Sequence, residues 1–295
     1  MAEITKRRRG ELVRGVFSIL RDCPEGLAAS EVLSTLETVV APTPFEQTYY
    51  EKRHARRYEK IVRFSTITAV KAGWLVKEKG QWRLTEDGLA AYDKYPDPEQ
   101  FEDQARRLYK EWKKNQPPEE IDDLDRPDVD EPSTTLEEAE EAAWNEIRSY
   151  LGAMPPYEFQ ELVGALLKAL GYRVDWISPP GADGGIDIVA YSDQLGLSGP
   201  RIKVQVKRKT GAKIGADDLR SFLAVLGDQD AGVFVCTSGF TSEAQREARS
   251  QEKRRIILID DTRLVELWIE RYGSLDDVDR QHLPLRPIYF LAPGD

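Results

Sequence analysis

Residues 181–209 constrain this chain more than any other segment, because they join a glycine-rich turn to two runs typical of β-strands. The segment reads G-A-D-G-G-I-D-I-V-A and, after an interval of ten residues, R-I-K-V-Q-V-K-R-K. Side chains alternate along a strand, so the Ile and Val residues of the second run share one face, and Gln205 and Lys207 lie on the other. An amide and a lysine in a buried strand are costly unless they are used. The alternative is an edge strand with one solvated face.

A single acid, Asp187, lies between two isoleucines in the first run. Because it faces away from these core residues, pairing of the two runs as a hairpin brings it to the face that carries Gln205 and Lys207. The sequence predicts that hairpin, with strands over residues 185–191 and 201–208, and it predicts that the three side chains converge.

These three residue types suit hydrolysis of a phosphodiester. The reaction needs charge neutralised on the phosphorane and a water activated near neutral pH, and Mg²⁺ or Mn²⁺ held by oxygen ligands serves both needs. Asp187 is the predicted anionic ligand, and Gln205 offers a weaker carbonyl oxygen. Lys207 can orient or help deprotonate the attacking water, or stabilise developing charge.

The charge of the chain is unevenly distributed. A formal net charge of −10 and a pI near 5.0 are unfavourable for a nucleic-acid partner. Residues 117–142, however, hold twelve acids and one arginine, so the rest of the chain is close to neutral. The acidity belongs to a connector and does not exclude double-stranded DNA as the partner.

Cysteine and histidine are scarce, with two of each in 295 residues. The cysteines, Cys23 and Cys236, are far apart and fit a reducing cytoplasm without a disulfide framework. A structural zinc site and Ser–His or Cys–His catalysis are therefore disfavoured. No apolar run approaches the roughly 20 residues that span a bilayer, so the sequence predicts a cytoplasmic protein without a membrane partner.

The first part of the chain, residues 1–96, has the element order of a winged helix-turn-helix domain. Helical spacing of apolar residues and a hairpin signal around Gly80 predict this order. The predicted elements are helices over about residues 12–20, 30–40 and 52–72, strands over 74–79 and 81–84, and a closing helix capped by Thr85.

Residues 97–149 are predicted to form a helical and acidic linker, with a Pro- and Asp-rich stretch at 117–133. The second domain is predicted over residues 150–273. Its element order, αβββαβαβα, indicates an α/β fold in which a mixed sheet is flanked by helices. Residues 274–295 form a C-terminal tail.

Residues 157–270 resemble the catalytic domain of Mrr-type restriction endonucleases, within the PD-(D/E)xK nuclease superfamily. The resemblance lies in E-F-Q-E-L-V-G-A-L-L-K-A-L-G-Y, G-A-D-G-G-I-D-I, V-Q-V-K-R and G-V-F-V-C-T-S-G-F-T-S-E-A. Residues 1–95 similarly resemble the winged-helix module found in such proteins. The resemblance implies a restriction-endonuclease-like core and a metal-dependent DNA endonuclease in defence against foreign or modified DNA. It also implies that Asp187 is the superfamily acid, Gln205 replaces its D/E, and Lys207 is the catalytic lysine.

The chain departs from this family in its first helix, where a Glu usually follows Phe. Here Gln160 follows Phe159, and Glu161 lies one position further, about 100° round the helix. Asp183 is a candidate second acid for the metal, or simply a turn residue. The departure keeps open a catalytically silent DNA-binding module, and a structure-specific repair nuclease is a further alternative.

Candidate DNA contacts occur in both domains. Six Lys or Arg lie within residues 52–63, on a helix that can enter the major groove or present an ordinary solvated face. In the second domain, basic and hydroxyl residues follow two strands and can bind phosphates, although Thr241 can also be a plain N-cap. The candidates are Arg56, Arg57, Lys60, Arg63, Arg208, Lys209, Ser238 and Thr241.

Two further expectations concern the whole chain. Residues 6–9, K-R-R-R, can form a basic arm or a disordered terminus. Because cutting both strands with one active site per chain needs two chains or two encounters, a homo-oligomer, dimer or tetramer, is expected.

Overall fold

The computed structural model of the chain describes residues 4–49, 56–114, 136–179, 185–197, 199–208, 211–251 and 254–288. These residues divide into two compact units, one up to Asn145 and the other Glu146–Ile288. The predicted linker stretch at 117–133 lies outside the described residues.

The first unit is helical with one small sheet. Its elements are α1 (Lys6–Leu20), β1 (Leu27–Ala28), α2 (Ala29–Val39), α3 (Arg57–Ser65), α4 (Ile67–Lys71), β2 (Leu75–Glu78), β3 (Gln81–Leu84), α5 (Glu86–Lys94) and α6 (Pro98–Lys114), followed by α7 (Leu136–Ala153), within which the division falls. Strand β3 pairs antiparallel with both β1 and β2. The helices and hairpin occur in the predicted order, and the winged-helix interpretation of this unit stays a prediction.

The hairpin between β2 and β3 turns at Lys79 and Gly80, which both have positive φ, 53° and 69°. Two consecutive left-handed residues match the twist of a tight antiparallel hairpin, and glycine adopts that conformation without strain. Thr85 then caps α5, as predicted, by accepting a hydrogen bond from the Gly88 N–H at 3.0 Å.

Two local predictions for this unit are wrong. The helix predicted over 52–72 is divided at Thr66, which follows α3 and whose hydroxyl donates to the Arg63 carbonyl at 2.7 Å. Residues 6–9 form neither an arm nor a frayed end. They open α1, where Thr5 caps the helix and Arg8 pairs with the buried Glu46 at 2.7 Å.

The second unit has the predicted αβββαβαβα order. Its elements are α8 (Pro156–Ala169), β4 (Arg173–Ile177), β5 (Ile188–Tyr191), β6 (Arg201–Lys207), α9 (Ala216–Ala224), β7 (Asp230–Cys236), α10 (Ser242–Arg249), β8 (Arg255–Ile259) and α11 (Asp261–Arg271). The sheet runs β4-β5-β6-β7-β8. The β4–β5 and β5–β6 pairs are antiparallel, and the last two pairs are parallel. The predicted mixed sheet flanked by helices is confirmed.

Two features position the elements that carry the candidate residues: the pairing of β5 with β6 and the packing of α8 on β4. The hairpin of β5 and β6 has the register Ile188↔Val204, so position 187 extends opposite position 205. Helix α8 packs closely on β4, because a Cβ added at Gly164 would meet Ile177 Cδ1 at 2.7 Å. A larger residue at Gly164 would therefore require the Ile177 side chain to move.

Candidate active site

Helix α8 carries one buried amide toward the sheet. Its apolar stripe, which includes the fully buried Phe159 and Leu162, packs inward. Gln160 lies within this packed region and is only 7% exposed. Its Nε2 donates a short hydrogen bond to Asp187 Oδ1, and its Oε1 is buried without a hydrogen-bond partner among the described residues.

Asp187 is held by the main chain as well as by its side chain. Its N–H donates to the Val204 carbonyl at 2.8 Å, and its carbonyl accepts from the Ser178 N–H at 2.7 Å. Its Oδ2 accepts from the Val206 N–H at 2.7 Å. The carboxylate, on a residue 4% exposed, is thus fixed between α8 and β6 by contacts within the chain.

Strand β6 supplies the rest of the predicted site. Gln205 lies opposite position 187 in the extended register, and its Oε1 is buried with no hydrogen-bond partner in the described part of the chain. Lys207 follows on the same face, and its Nζ pairs with Asp218 Oδ1 at 2.6 Å. The predicted hairpin is confirmed, and Asp187 is brought against the strand that carries Gln205 and Lys207.

The other lysine on this face of β6 serves a different partner. Lys203 and Arg201 both pair with Asp230, at 2.9 Å each. Burial opposes ionisation of Asp230, but hydrogen bonds from Arg201, Lys203 and the Gly227 N–H outweigh it and lower its pKa to about 2. The polar face of β6 therefore divides into a structural ion-pair end and the end that carries Gln205 and Lys207.

The structure describes one of the two remaining predicted acids. Glu161 is exposed, and it is Gln160 that contacts Asp187. Asp183 lies outside the described residues. No group of three or more His, Cys, Asp or Glu side chains that could hold a metal ion occurs in the described ranges. As described, the site combines one carboxylate with two amide oxygens.

Asp218 was not among the predicted residues. It lies in the first turn of α9, next to Asp217, and acids are common at this position because they favour the helix dipole. The two differ in three dimensions, since Asp217 is 98% exposed and pairs with Arg220. Asp218 instead pairs with Lys207 at the end of β6, a long-range contact that the sequence of α9 does not indicate.

The predicted phosphate contacts of this unit have mixed placements. Arg208 donates to the Gly152 carbonyl, and Lys209 lies outside the described residues. Thr241 caps α10 by accepting from the Ala244 N–H at 3.2 Å. Ser238 follows the end of β7, beside β6, and its hydroxyl is buried without a partner among the described residues.

Most of the predicted basic face of the first unit is paired with acids. Arg56 precedes α3 and forms two hydrogen bonds with Glu37, one at 2.8 Å; these raise the pKa of Arg56 and lower that of Glu37. Arg57 donates to the Thr48 hydroxyl at 3.0 Å. Further along the helix, Lys60 pairs with Glu138 and Arg63 pairs with Glu141, both at 2.6 Å.

Most of the second unit is similar to a known protein family. Residues 151–268 match the model of the Mrr catalytic family, whose description is restriction endonuclease. This part of the chain is similar to the catalytic domain of Mrr-type restriction endonucleases. The matched residues contain every element from α8 to β8, and their mixed sheet flanked by helices has the predicted α/β fold class.

Similarity to a curated relative extends beyond residues 151–268. The chain is 29% identical over 288 residues to the type IV methyl-directed restriction enzyme EcoKMrr of Escherichia coli strain K12, covering 88% of this chain and 91% of the relative. The similarity therefore includes much of the first unit as well as residues 151–268.

Two solved structures are also similar. The MspJI restriction endonuclease in complex with a 27-mer oligonucleotide has a TM-score of 0.41 and 18% identity, over 52% of this chain and 37% of that one. The DNA modification-dependent restriction endonuclease AspBHI has a TM-score of 0.37 and 19% identity, over 44% and 35%. The chain spans little more than a third of either protein. No helix in the described ranges is long and apolar enough to cross a membrane.

Proposed function

We propose that this chain is an endonuclease that hydrolyses phosphodiester bonds of double-stranded DNA, in restriction or defence against foreign or modified DNA. The observation that carries the proposal is the buried Asp187 carboxylate, held between Gln160 and the strand with Gln205 and Lys207, inside the residues that match the Mrr catalytic family. Similarity to a methyl-directed relative supports modified DNA as the substrate to test first.

The donor set supports Mg²⁺ or Mn²⁺ as the cofactor. Buried polar oxygens without a partner are costly, and both Gln160 Oε1 and Gln205 Oε1 are such atoms among the described residues. With the Asp187 carboxylate they make an oxygen-only set, which hard divalent cations prefer. When bound, the ion would neutralise charge on the phosphate and lower the pKa of a coordinated water.

The residues of the chain have distinct proposed roles. Asp187 and Gln205 hold the cation, and the Gln160 amide orients the carboxylate and contributes its own carbonyl oxygen. Lys207 orients the attacking water or stabilises negative charge that develops on the phosphate. Ser238 and the N-terminus of α10 can bind the phosphate backbone beside this site, with Thr241 acting as the cap.

A plasmid assay tests the proposal. Supercoiled plasmid from methylating and non-methylating hosts is incubated with the purified chain in Mg²⁺ or in EDTA. We expect nicked and then linear DNA in Mg²⁺, none in EDTA, and none from an Asp187→Asn preparation. Equal background nicking by all preparations would reject the proposal that the chain is an enzyme. Retained binding in a gel shift would then favour a catalytically silent DNA-binding module. The neutral amides at positions 160 and 205 are the feature that supports this alternative.

The order of products tests the proposed oligomer. One active site per chain cuts one strand at a time, so linear DNA needs two sites or two encounters. If a dimer or tetramer places two sites on one duplex, linear product appears without accumulation of nicked circles, and its fraction falls on dilution. Sedimentation at the same concentrations gives the state directly.

Asp218 is expected to position Lys207. A paired carboxylate restricts a side chain that otherwise has about 2 kcal/mol of rotamer entropy. Asp218→Asn should lower kcat about three- to tenfold with little change in KM for DNA, and Asp218→Glu should recover part of the loss. Asp217→Asn, which makes the same charge change one residue away, should behave as wild type. Equal kcat values for the two asparagine variants would contradict the positioning role.

A further inference from the structure

A surface of the first unit combines basic residues from two elements. It comprises Lys60 and Arg63 of α3 with Lys77 and Lys79 of the hairpin, here called the basic surface. Lys77 Nζ also lies 4.1 Å from the centre of the Trp82 ring, and Arg63 lies 5.8 Å from it. In winged helix-turn-helix proteins, the recognition helix and the hairpin are the elements that approach a duplex. The Lys and Arg side chains of the basic surface suit contacts with its phosphate backbone.

The same surface is covered by the start of α7. Residues 137–141 read E-E-A-E-E and are here called the acidic turn. Glu138 pairs with Lys60, and Glu141 pairs with Arg63, both at 2.6 Å. The side chains of Arg63 and Glu141 are only 13% and 9% exposed, so these are not ordinary solvated pairs.

The hairpin is covered as well as α3. Gly80, at its tip, is buried, although a hairpin tip is commonly exposed. A Cβ added there would meet Glu141 Cγ at 3.3 Å and its Cα at 3.4 Å. Glu140 and Glu141 also line a small cleft with hairpin residues 77–82. The acidic turn therefore contacts both elements of the basic surface at once.

We propose that the basic surface binds the phosphate backbone of DNA and that the acidic turn of α7 competes with DNA for it. The inference rests on the proposed DNA-binding function and adds a specific surface and its intramolecular competitor. A carboxylate presents paired oxygens to Lys and Arg much as a phosphate does. DNA binding then requires the acidic turn to leave, and the apparent affinity is reduced by the fraction of molecules in which it is bound.

Neutralising the acidic turn tests the competition. Binding of a short duplex is measured by fluorescence anisotropy in EDTA over a range of NaCl concentrations. We expect the Glu138→Gln, Glu141→Gln double variant to bind about three- to tenfold more tightly at low salt. Its slope of log K against log salt should be steeper, because in the wild type salt weakens the competing carboxylate pairs as well as the phosphate contacts. Glu146→Gln, an exposed acid of the same helix, should leave affinity and slope nearly unchanged.

The basic residues provide the second arm. Lys60→Ala with Arg63→Ala should weaken binding and flatten the salt slope, and in that background the glutamine substitutions should have no further effect. If the basic variant weakens binding but the acidic double variant matches Glu146→Gln, the surface binds DNA without competition and the inference is wrong. If the basic variant binds as wild type, the surface does not hold DNA, and both the inference and the DNA-binding role of this surface fail, whatever the cleavage assay gives.

Discussion

Asp187→Asn is expected to lower the rate of DNA cleavage at least about a thousandfold, because it removes the carboxylate of the candidate active site. Metal-assisted charge stabilisation supplies several kcal/mol, and each 1.4 kcal/mol is a factor of ten in rate. The described residues offer two amide oxygens beside Asp187, and a third amide would leave the cation without an anionic ligand among them.

The fold should survive this substitution. The main-chain bonds of residue 187 to Val204 and Ser178 do not involve the side chain. The new amide can keep accepting from the Val206 N–H through its oxygen, while its nitrogen donates to Gln160 Oε1, which has no partner among the described residues. Rotation of the Gln160 amide thus restores satisfied hydrogen bonds, and the melting temperature should change by only a few degrees.

Asp175→Asn is the matched control. Asp175 lies on β4 of the same sheet, is half exposed and pairs with Arg173 at 3.0 Å, so the charge change is the same at a distance from the site. Nicking rates in Mg²⁺, thermal melting by circular dichroism and gel-shift binding in EDTA should be measured on both variants. Cleavage by Asp187→Asn within tenfold of wild type would mean that another acid holds the cation.

The residues that could be predicted from the sequence are those fixed by local periodicity. Strand alternation places Gln205 and Lys207 on one face, and the hairpin that carries Asp187 follows from its isoleucine neighbours. The apolar stripe of α8 determines that Gln160, rather than Glu161, turns toward the sheet, since the two lie about 100° apart on the helix. The β5–β6 register then follows with little freedom, because a slip of one residue would expose the core face.

Long-range ion pairing could not be predicted in this way. Lys60 and Glu138 are 78 residues apart, and composition alone assigned the acids to a connector and the lysine to a DNA-binding face. Asp217 and Asp218 likewise look equivalent in sequence, because both are acids in the first turn of a helix. The local break at Thr66 was missed for another reason, since a threonine within a helical pattern signals its back-bonding only weakly.

Gln160→Glu is expected to lower the Mg²⁺ concentration needed for half-maximal cleavage by about ten- to a hundredfold. Gln160 already contacts Asp187 from a buried position, so the substitution places a second carboxylate where the cation is proposed to bind. An added anionic ligand strengthens binding of a hard divalent ion far more than an amide oxygen does.

The same substitution should destabilise the metal-free protein. The Gln160 amide donates to Asp187, whereas two carboxylates at that separation cannot both ionise without a large cost. The melting temperature in EDTA should therefore fall below that of wild type, and added Mg²⁺ should raise it by more than it raises the wild-type value, as expected for an ion that binds only the folded state.

Glu161→Gln separates this effect from a general change in charge. Glu161 is exposed and adjacent in sequence, and its neutralisation should alter neither the Mg²⁺ dependence of nicking nor that of melting. If Gln160→Glu also leaves the half-saturating Mg²⁺ concentration unchanged, position 160 does not contact the cation. Its amide then only orients Asp187, and the weak-ligand account of this site is wrong. A lower requirement for Mg²⁺ together with a less stable metal-free protein would instead establish residue 160 as a ligand position. The amide found there would then weaken metal binding and stabilise the metal-free protein, compared with a carboxylate.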